Sequence, residues 1–183
     1  MLPKETFASQ VAVITGGATG IGFAIAQMLG RRRARVVLAG RNPDHVHAAA
    51  ENFTVDADKL SVGSNAVVTR YVWMGGPRNL HSAVAKAGVV TLTRPLAVEW
   101  ASHGIRVNAV CPDPTDTEGA RGGLWPDEAS AARMMAKIPR GRFGTVEKIA
   151  TAAGYLLSPY ADSITGGVLV VDGGEWPSKG LLS

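Results

Sequence analysis

Three groups of residues have types and spacing suited to chemistry. The first is Thr15-Gly16-Gly17-Ala18-Thr19-Gly20-Ile21-Gly22, between the apolar runs Val11-Ala12-Val13-Ile14 and Phe23-Ala24-Ile25-Ala26-Gln27-Met28-Leu29. A glycine loop in that setting can hold phosphate. Gly16 permits a sharp turn, Gly20 lets backbone amides approach a pyrophosphate, and Gly22 lets the following helix pack tightly with its N-terminus facing the anion. The second is Gly40-Arg41, at a corner where an arginine can meet a further phosphate group. The third is Tyr71, Ser82 and Lys86. A phenol can hold a proton for a reacting group, and a nearby cation stabilises its phenolate. Ser82 and Lys86 are four residues apart and share one helix face, with Tyr71 just before that helix. On the residues alone, Lys86 also suits a solvated surface and Tyr71 half-buried packing.

These groups need elements to position them. Val11 to Ile14 reads as a parallel strand buried on both faces, and the residues after Gly20 as an amphipathic helix. Arg35-Val36-Val37-Leu38-Ala39 is a second buried strand. An acidic residue at its end would hold the ribose hydroxyls of NAD, whereas arginine accommodates a 2′-phosphate. Gly40 and Arg41 stand there, so NADPH is the expected cofactor, the alternative being that Arg41 is a solvated turn residue. Asn42 and Pro43 start a helix running to about Glu51 as N-cap and N1. From Asn52 to Tyr71 there is room for only one or two short elements, although a dinucleotide fold needs two crossovers of about 30 residues in this part of the chain.

Asn79 to Ala101 reads as a long helix. Ala83, Val84, Ala87, Val90, Thr91, Leu96, Ala97 and Trp100 cover so much of its circumference that both faces are expected to be buried, one in a subunit interface. Pro95 interrupts it, at a cost of ~3 kcal/mol unless the orphaned carbonyl finds another donor. Ile105 to Cys111 is a strand halted by Pro112-Asp113-Pro114. A polar, glycine-rich stretch from Thr115 to Gly123 and a helix from Asp127 to Lys137 follow and read as a mobile lid, in which Met134 and Met135 suit either an acyl pocket or ordinary core. The remaining elements are a helix from about Val146 to Leu157 and a strand Val168-Leu169-Val170-Val171, before Asp172-Gly173-Gly174.

The chain has 183 residues, 46% hydrophobic and 19% charged, which suits one globular domain over 1–183. No stretch reaches the ~18 apolar residues of a membrane span and no apolar signal core follows the first residues, so a soluble, cytoplasmic protein is expected. Cys111 is the only cysteine and the four histidines lack ligand spacing, which leaves neither a disulfide within the chain nor a metal site. The net charge of +4 is dispersed except for Arg31-Arg32-Arg33-Ala34-Arg35. That cluster lies at a helix C-terminus, where cations suit the dipole, and has no interleaved aromatics; no nucleic-acid partner is expected.

The loop Thr15 to Gly22, with spacing T-G-x-x-x-G-x-G, resembles that of the short-chain dehydrogenase/reductase family. The resemblance covers Val11 to Asn42 and His81 to Trp176, and within the family it is strongest to 2,4-dienoyl-CoA reductases. Most members place a tyrosine four residues before the lysine. Here that position is Ser82, and the dienoyl-CoA reductase branch is similar in having serine there and its working tyrosine eleven residues earlier, at Tyr71. Ile138 to Glu147 and Val171-Asp172-Gly173-Gly174-Glu175 also resemble that branch.

The resemblance implies an α/β fold, a Rossmann-like doubly wound parallel sheet, here truncated. It also implies hydride transfer from NADPH to the far end of a conjugated dienoyl-CoA thioester, giving a dienolate that is protonated near the carbonyl. In that scheme Tyr71 steadies or protonates the dienolate, Lys86 holds the nicotinamide ribose, Ser82 hydrogen-bonds substrate or cofactor, and Thr117 contacts the nicotinamide end. Thr15, Gly16, Thr19, Gly20, Ile21, Gly22, Arg41, Lys86, Pro112 and Thr117 line the cofactor, and Thr69 matches the usual family serine by position alone. An acyl-CoA-type substrate and a homo-oligomer are the implied partners.

The departures concern the middle of the chain. The family's asparagine-asparagine-alanine-glycine segment has no counterpart beyond Asn52-Phe53. Leu60-Ser61 and Asn65-Ala66-Val67-Val68 resemble the start of the helix that follows it, which implies two internal deletions joined near Glu51 and Val68. The first strand then either pairs directly with the strand before Pro112 or leaves a gap in the sheet. Asp113 replaces a glycine where backbone passes the nicotinamide, and Arg33 replaces a helix-exit glycine. A 3-oxoacyl-thioester or ketone reductase, and a non-catalytic cofactor-binding or oligomerising remnant, are the alternatives to a dienoyl-CoA reductase.

Overall fold

The computed structural model describes residues 2–51, 64–67, 80–112 and 114–178. In chain order its elements are β1 (Val11–Thr15), α1 (Gly20–Gly30), β2 (Arg35–Ala39), α2 (Pro43–Glu51), β3 (Ser64–Val67), α3 (Leu80–Trp100), β4 (Val107–Pro112), α4 (Glu118–Gly123), α5 (Glu128–Met135), α6 (Val146–Leu157) and β5 (Val168–Val171). All strand pairings among these elements are parallel, so the chain is an α/β protein of Rossmann-like construction. The residues fall into two compact units, Met1–Gly63 with Val146–Asp162, and Ser64–Thr145 with Ser163–Ser183.

The first unit is a β1-α1-β2 crossover backed by α6. β1 and β2 pair in the register Val11↔Arg35 to Thr15↔Ala39. Helix α1 buries Ala24, Ile25, Ala26, Met28 and Leu29, and α6 buries Ile149, Ala150, Ala153, Gly154 and Leu156. The two helices pack on each other, and Gly154 has no space for a side chain because Met28 fills it, its Sδ lying 2.8 Å from where a Cβ would stand. Fully burying each large aliphatic side chain here contributes about 1.5–3 kcal/mol. Asn42 caps α2 as its sequence position predicts, its Oδ1 accepting the Asp44 N–H at 2.9 Å.

One expectation for this unit is corrected. β1 and β2 are not covered on both faces: Val13 is 62% exposed, and its register partner Val37 is 45% exposed. Ala12, Ile14, Val36 and Leu38 occupy the other pleat and are better buried. A right-handed crossover places α1 on one face of its two strands, and among the described residues no helix covers the apolar side chains of Val13 and Val37 on the opposite face.

In the second unit the sheet order is β3-β4-β5. β4 is buried along its whole length. Both of its edges are taken, by β3 in the register Ser64↔Val107 to Val67↔Val110 and by β5 in the register Ala109↔Val168 to Pro112↔Val171. The strand before Pro112 therefore has no edge for β1, and among the described residues the strands form a two-stranded and a three-stranded sheet. The helix-start reading is also corrected over 65–67: Ser64–Val67 is a strand, because pairing with a fully buried neighbour overrides a local helical pattern; Val68 lies outside the described residues.

Helix α3 runs unbroken through Pro95. Within the chain it is not covered on both sides. Thr93 and Ala97 are buried, whereas Leu80, Val84, Leu92 and Val98 are exposed, Val98 to 81%. Thr91, whose carbonyl loses its helical donor to the proline, and Pro95 itself are exposed as well.

Candidate active site

The glycine loop is assembled as its spacing predicts. Gly16 and Gly20 have φ of 68° and 53°, the left-handed region that favours glycine. A Cβ at Gly22 would strike the Gly16 carbonyl, and one at Gly17 would lie 2.8 Å from the Ile14 carbonyl oxygen and 2.9 Å from Leu38 Cδ2. The loop therefore closes against the first turn of α1. Thr19 is the N-cap residue, extended at φ −144°, ψ 162°, and its hydroxyl makes no capping bond. Its carbonyl accepts the Phe23 N–H at 3.2 Å, which leaves the amides of Gly20, Ile21 and Gly22 as the partnerless first turn that an anion completes.

The same loop is tied to the end of β2. The Ala39 carbonyl accepts the N–H of Gly16 at 2.7 Å and of Gly17 at 3.4 Å. Thr15, Gly16 and the corner holding Arg41 thus sit at adjoining strand ends, and Arg41 is exposed. At Gly40 a Cβ would lie 3.0 Å from Val46 Cγ2, so this position has little room for a larger side chain. These features fit a dinucleotide: a turn that a single methyl group would block, amides at a helix N-terminus without a partner among the described residues, and a cation at the second strand end.

The second unit carries the other predicted residues. Ser82 and Lys86 lie half-buried on the first two turns of α3. Pro112 ends β4 in register with Val171. Thr117 is the N-cap of α4, its Oγ1 accepting the Ala120 N–H at 3.1 Å, and its own O–H remains a donor. Tyr71, Thr69 and Asp113 lie outside the described residues, as do Asn52-Phe53 and Leu60-Ser61.

Other groups support the strand ends through partners that no local sequence pattern marks. Asn108 is fully buried, donating through Nδ2 to the Ile164 carbonyl at 2.9 Å and accepting the Gly167 N–H at 3.1 Å, which fixes the entry to β5. Asp172 accepts the N–H groups of Gly174 at 3.0 Å and Trp176 at 2.6 Å. Beside it the buried Cys111 thiol is pushed up to about 12 by desolvation first, then by the charges of Asp172 and Glu175. It is a packing residue, since the thiolate is the reactive form. Asp116 is held below its ordinary value by its hydrogen bonds to Arg121, both at 2.6 Å. Among the described residues there is no cluster of three or more potential metal ligands, and no helix is long and apolar enough to cross a membrane.

Comparison with known proteins agrees with this architecture. Residues 57–175 match the family model for enoyl-(acyl carrier protein) reductase, and residues 10–71 match that for short chain dehydrogenase. The chain belongs to the short-chain dehydrogenase/reductase family. This short-chain dehydrogenase/reductase is similar to a probable 2,4-dienoyl-CoA reductase of Bacillus subtilis, 45% identical over 129 residues, which are 70% of this chain and 50% of that protein. It is also 29% identical to a peroxisomal 2,4-dienoyl-CoA reductase of Danio rerio over 250 residues, covering 94% of this chain and 83% of the relative. That alignment is longer than the 183-residue chain, so it contains stretches of the relative with no counterpart here. In the Bacillus subtilis comparison the chain spans about half the relative's length. Among solved structures, a putative 2-deoxy-d-gluconate 3-dehydrogenase from Agrobacterium tumefaciens with bound NADP has a TM-score of 0.82 and 26% identity, covering 97% of this chain and 100% of that one.

Proposed function

We propose that this chain is an NADPH-dependent oxidoreductase that reduces an enoyl- or dienoyl-CoA thioester, a 2,4-dienoyl-CoA reductase-like step of fatty-acid degradation. The observation that carries the cofactor half is the joined loop and strand end: Gly22 seated on the Gly16 carbonyl, with the turn bonded to Ala39 two residues before Arg41. Little room for a carboxylate at Gly40 and the cation at Arg41 favour a 2′-phosphate over free ribose hydroxyls. A structural relative described with bound NADP supports a nicotinamide cofactor. The reductases of Bacillus subtilis and Danio rerio support the thioester substrate.

NADPH, when bound, supplies the hydride. Gly20, Ile21 and Gly22 would hold its pyrophosphate by their backbone amides, Thr15, Gly16 and Thr19 would line that cradle, and Arg41 would hold the 2′-phosphate. Pro112 and Thr117 border the nicotinamide, where the Thr117 O–H is a donor. Lys86 holds the nicotinamide ribose and keeps positive charge near the Tyr71 hydroxyl, which steadies the substrate oxygen as charge develops there. Ser82 hydrogen-bonds substrate or cofactor from the face that carries Lys86. The chain acts as one dinucleotide-binding domain in the cytoplasm, paired with a second copy through the exposed apolar face of α3.

A second reading is favoured by the uncovered Val13–Val37 face and the missing middle: a relative that binds the cofactor but has lost catalysis. Oxidation of NADPH, followed by nicotinamide absorbance with a short dienoyl-CoA, separates the two. Turnover that falls at least a hundred-fold in Tyr71→Phe supports the reductase. Binding without turnover favours the remnant, and turnover surviving Tyr71→Phe removes the proposed catalytic group.

A further inference from the structure

Between β4 and α6 the chain makes a long excursion whose two feet are stapled together. Thr115 and Gly144 form a parallel bridge, the Asp116 N–H donates to the Gly144 carbonyl at 3.1 Å, and the Gly144 N–H donates to the Pro114 carbonyl at 3.0 Å. Neither α4 nor α5 has a buried residue. From 117 to 137 the single buried residue is Trp125, in the short link between the two helices. Its ring stacks on Phe143, with centroids 4.7 Å apart and planes 17° apart, and Phe143 adjoins the foot at Gly144.

Each helix is also closed by its own local bonds. Thr117 caps α4, whose last turn ends on Trp125 through its N–H to the Ala120 carbonyl at 3.3 Å. Asp127 and Ser130 form a reciprocal capping box that starts α5, with Pro126 as the only residue between Trp125 and that cap. Two self-contained helices therefore flank one buried aromatic in the chain. The Trp125 Nε1–H is buried and has no acceptor among the described residues, so the indole is held by its ring face and not by a polar bond.

We propose that the Trp125–Phe143 stack is the pin of a two-part lid: it fixes the midpoint of the excursion to the lid's own foot and lets α4 and α5 swing separately. The reading of this segment as a lid over the thioester rests on the proposed function, and the pin itself does not. With α5 free of α4, the helix carrying Met134 and Met135 adjusts to the acyl group without moving α4.

Hydrogen–deuterium exchange on the full chain without cofactor tests this directly, independently of binding or turnover. Trp125→Ala, and separately Phe143→Leu, should raise exchange of the amides in Glu118–Met135 at least ten-fold and leave β4 and β5 unchanged. Trp125→Phe keeps a stacking ring and removes the unsatisfied donor, so it should exchange like the wild type. The pin is overturned if Trp125→Ala and Phe143→Leu leave α4 and α5 unchanged, if Trp125→Phe loosens them as much as Trp125→Ala, or if protection is lost throughout β4 and β5.

Discussion

Arg33 sits at φ 69°, in the left-handed region where a side chain costs about 1–2 kcal/mol relative to glycine. Its ion pair with Glu5 at 3.1 Å joins two side chains that are 61% and 59% exposed, and pairs of that kind contribute ~0–1 kcal/mol. Arg33→Gly should therefore raise stability by about 0.5–1 kcal/mol after the extra unfolded-state freedom of glycine is subtracted, read as a higher melting temperature. Cys111 gives a pH dependence of known sign. Its folded value is raised from 9.0 to about 12, so the unfolded chain loses the thiol proton first. The contribution is fully present below pH 9 and falls away between pH 9 and about 12. Melting temperatures across that range should decline more steeply for the wild type than for Cys111→Ala; parallel curves would contradict the account. Gly16 and Gly22 were legible because backbone geometry demands a residue without a side chain there, and Arg33 because the family resemblance puts a glycine at its position. Asn108 and Trp125 were not, because their partners at Ile164, Gly167 and Phe143 are distant or unpatterned in sequence.

At the scale of elements, punctuation and periodicity located α1, α2, α3 and α6 closely, and the Asn42-Pro43 cap is an example of a local rule that the fold keeps. The apolar runs located β1, β2, β4 and β5 as well, and tertiary pairing decided β3 and the order of the strands. Nothing local in Ser64–Val67 announces that it pairs with β4, and a composition that suits burial on two faces does not say whether a second layer is present, as Val13 and Val37 show. Helix α3 makes the same point on its outer face. Its exposed Leu80, Val84, Leu92 and Val98 form the surface assigned to a second copy. Val98→Asp should shift sedimentation from dimer to monomer, weakening association by roughly a hundred-fold, in line with the ~3 kcal/mol cost of an unpaired buried charge. A wild type that sediments as a monomer at all concentrations would contradict this pairing.

At the scale of the molecule, the chain keeps the elements at both ends of a short-chain reductase and lacks part of the middle. The consequence falls unevenly. The phosphate-binding apparatus is local to β1, α1 and β2, and its bonds close within that unit. The proposed thioester chemistry would draw on residues far apart in the sequence, from Tyr71 to Thr117, and so would depend more on the missing part of the chain. Cofactor binding is thus the part of the proposal that the local geometry supports best. A fluorescence titration of the full chain with NADPH, repeated with NADH and with Gly22→Ala, tests it most directly. Saturable binding that is at least ten-fold weaker for NADH, and lost when a methyl group meets the Gly16 carbonyl, is the predicted result; no saturable binding by the wild type, or binding undiminished in Gly22→Ala, would contradict it.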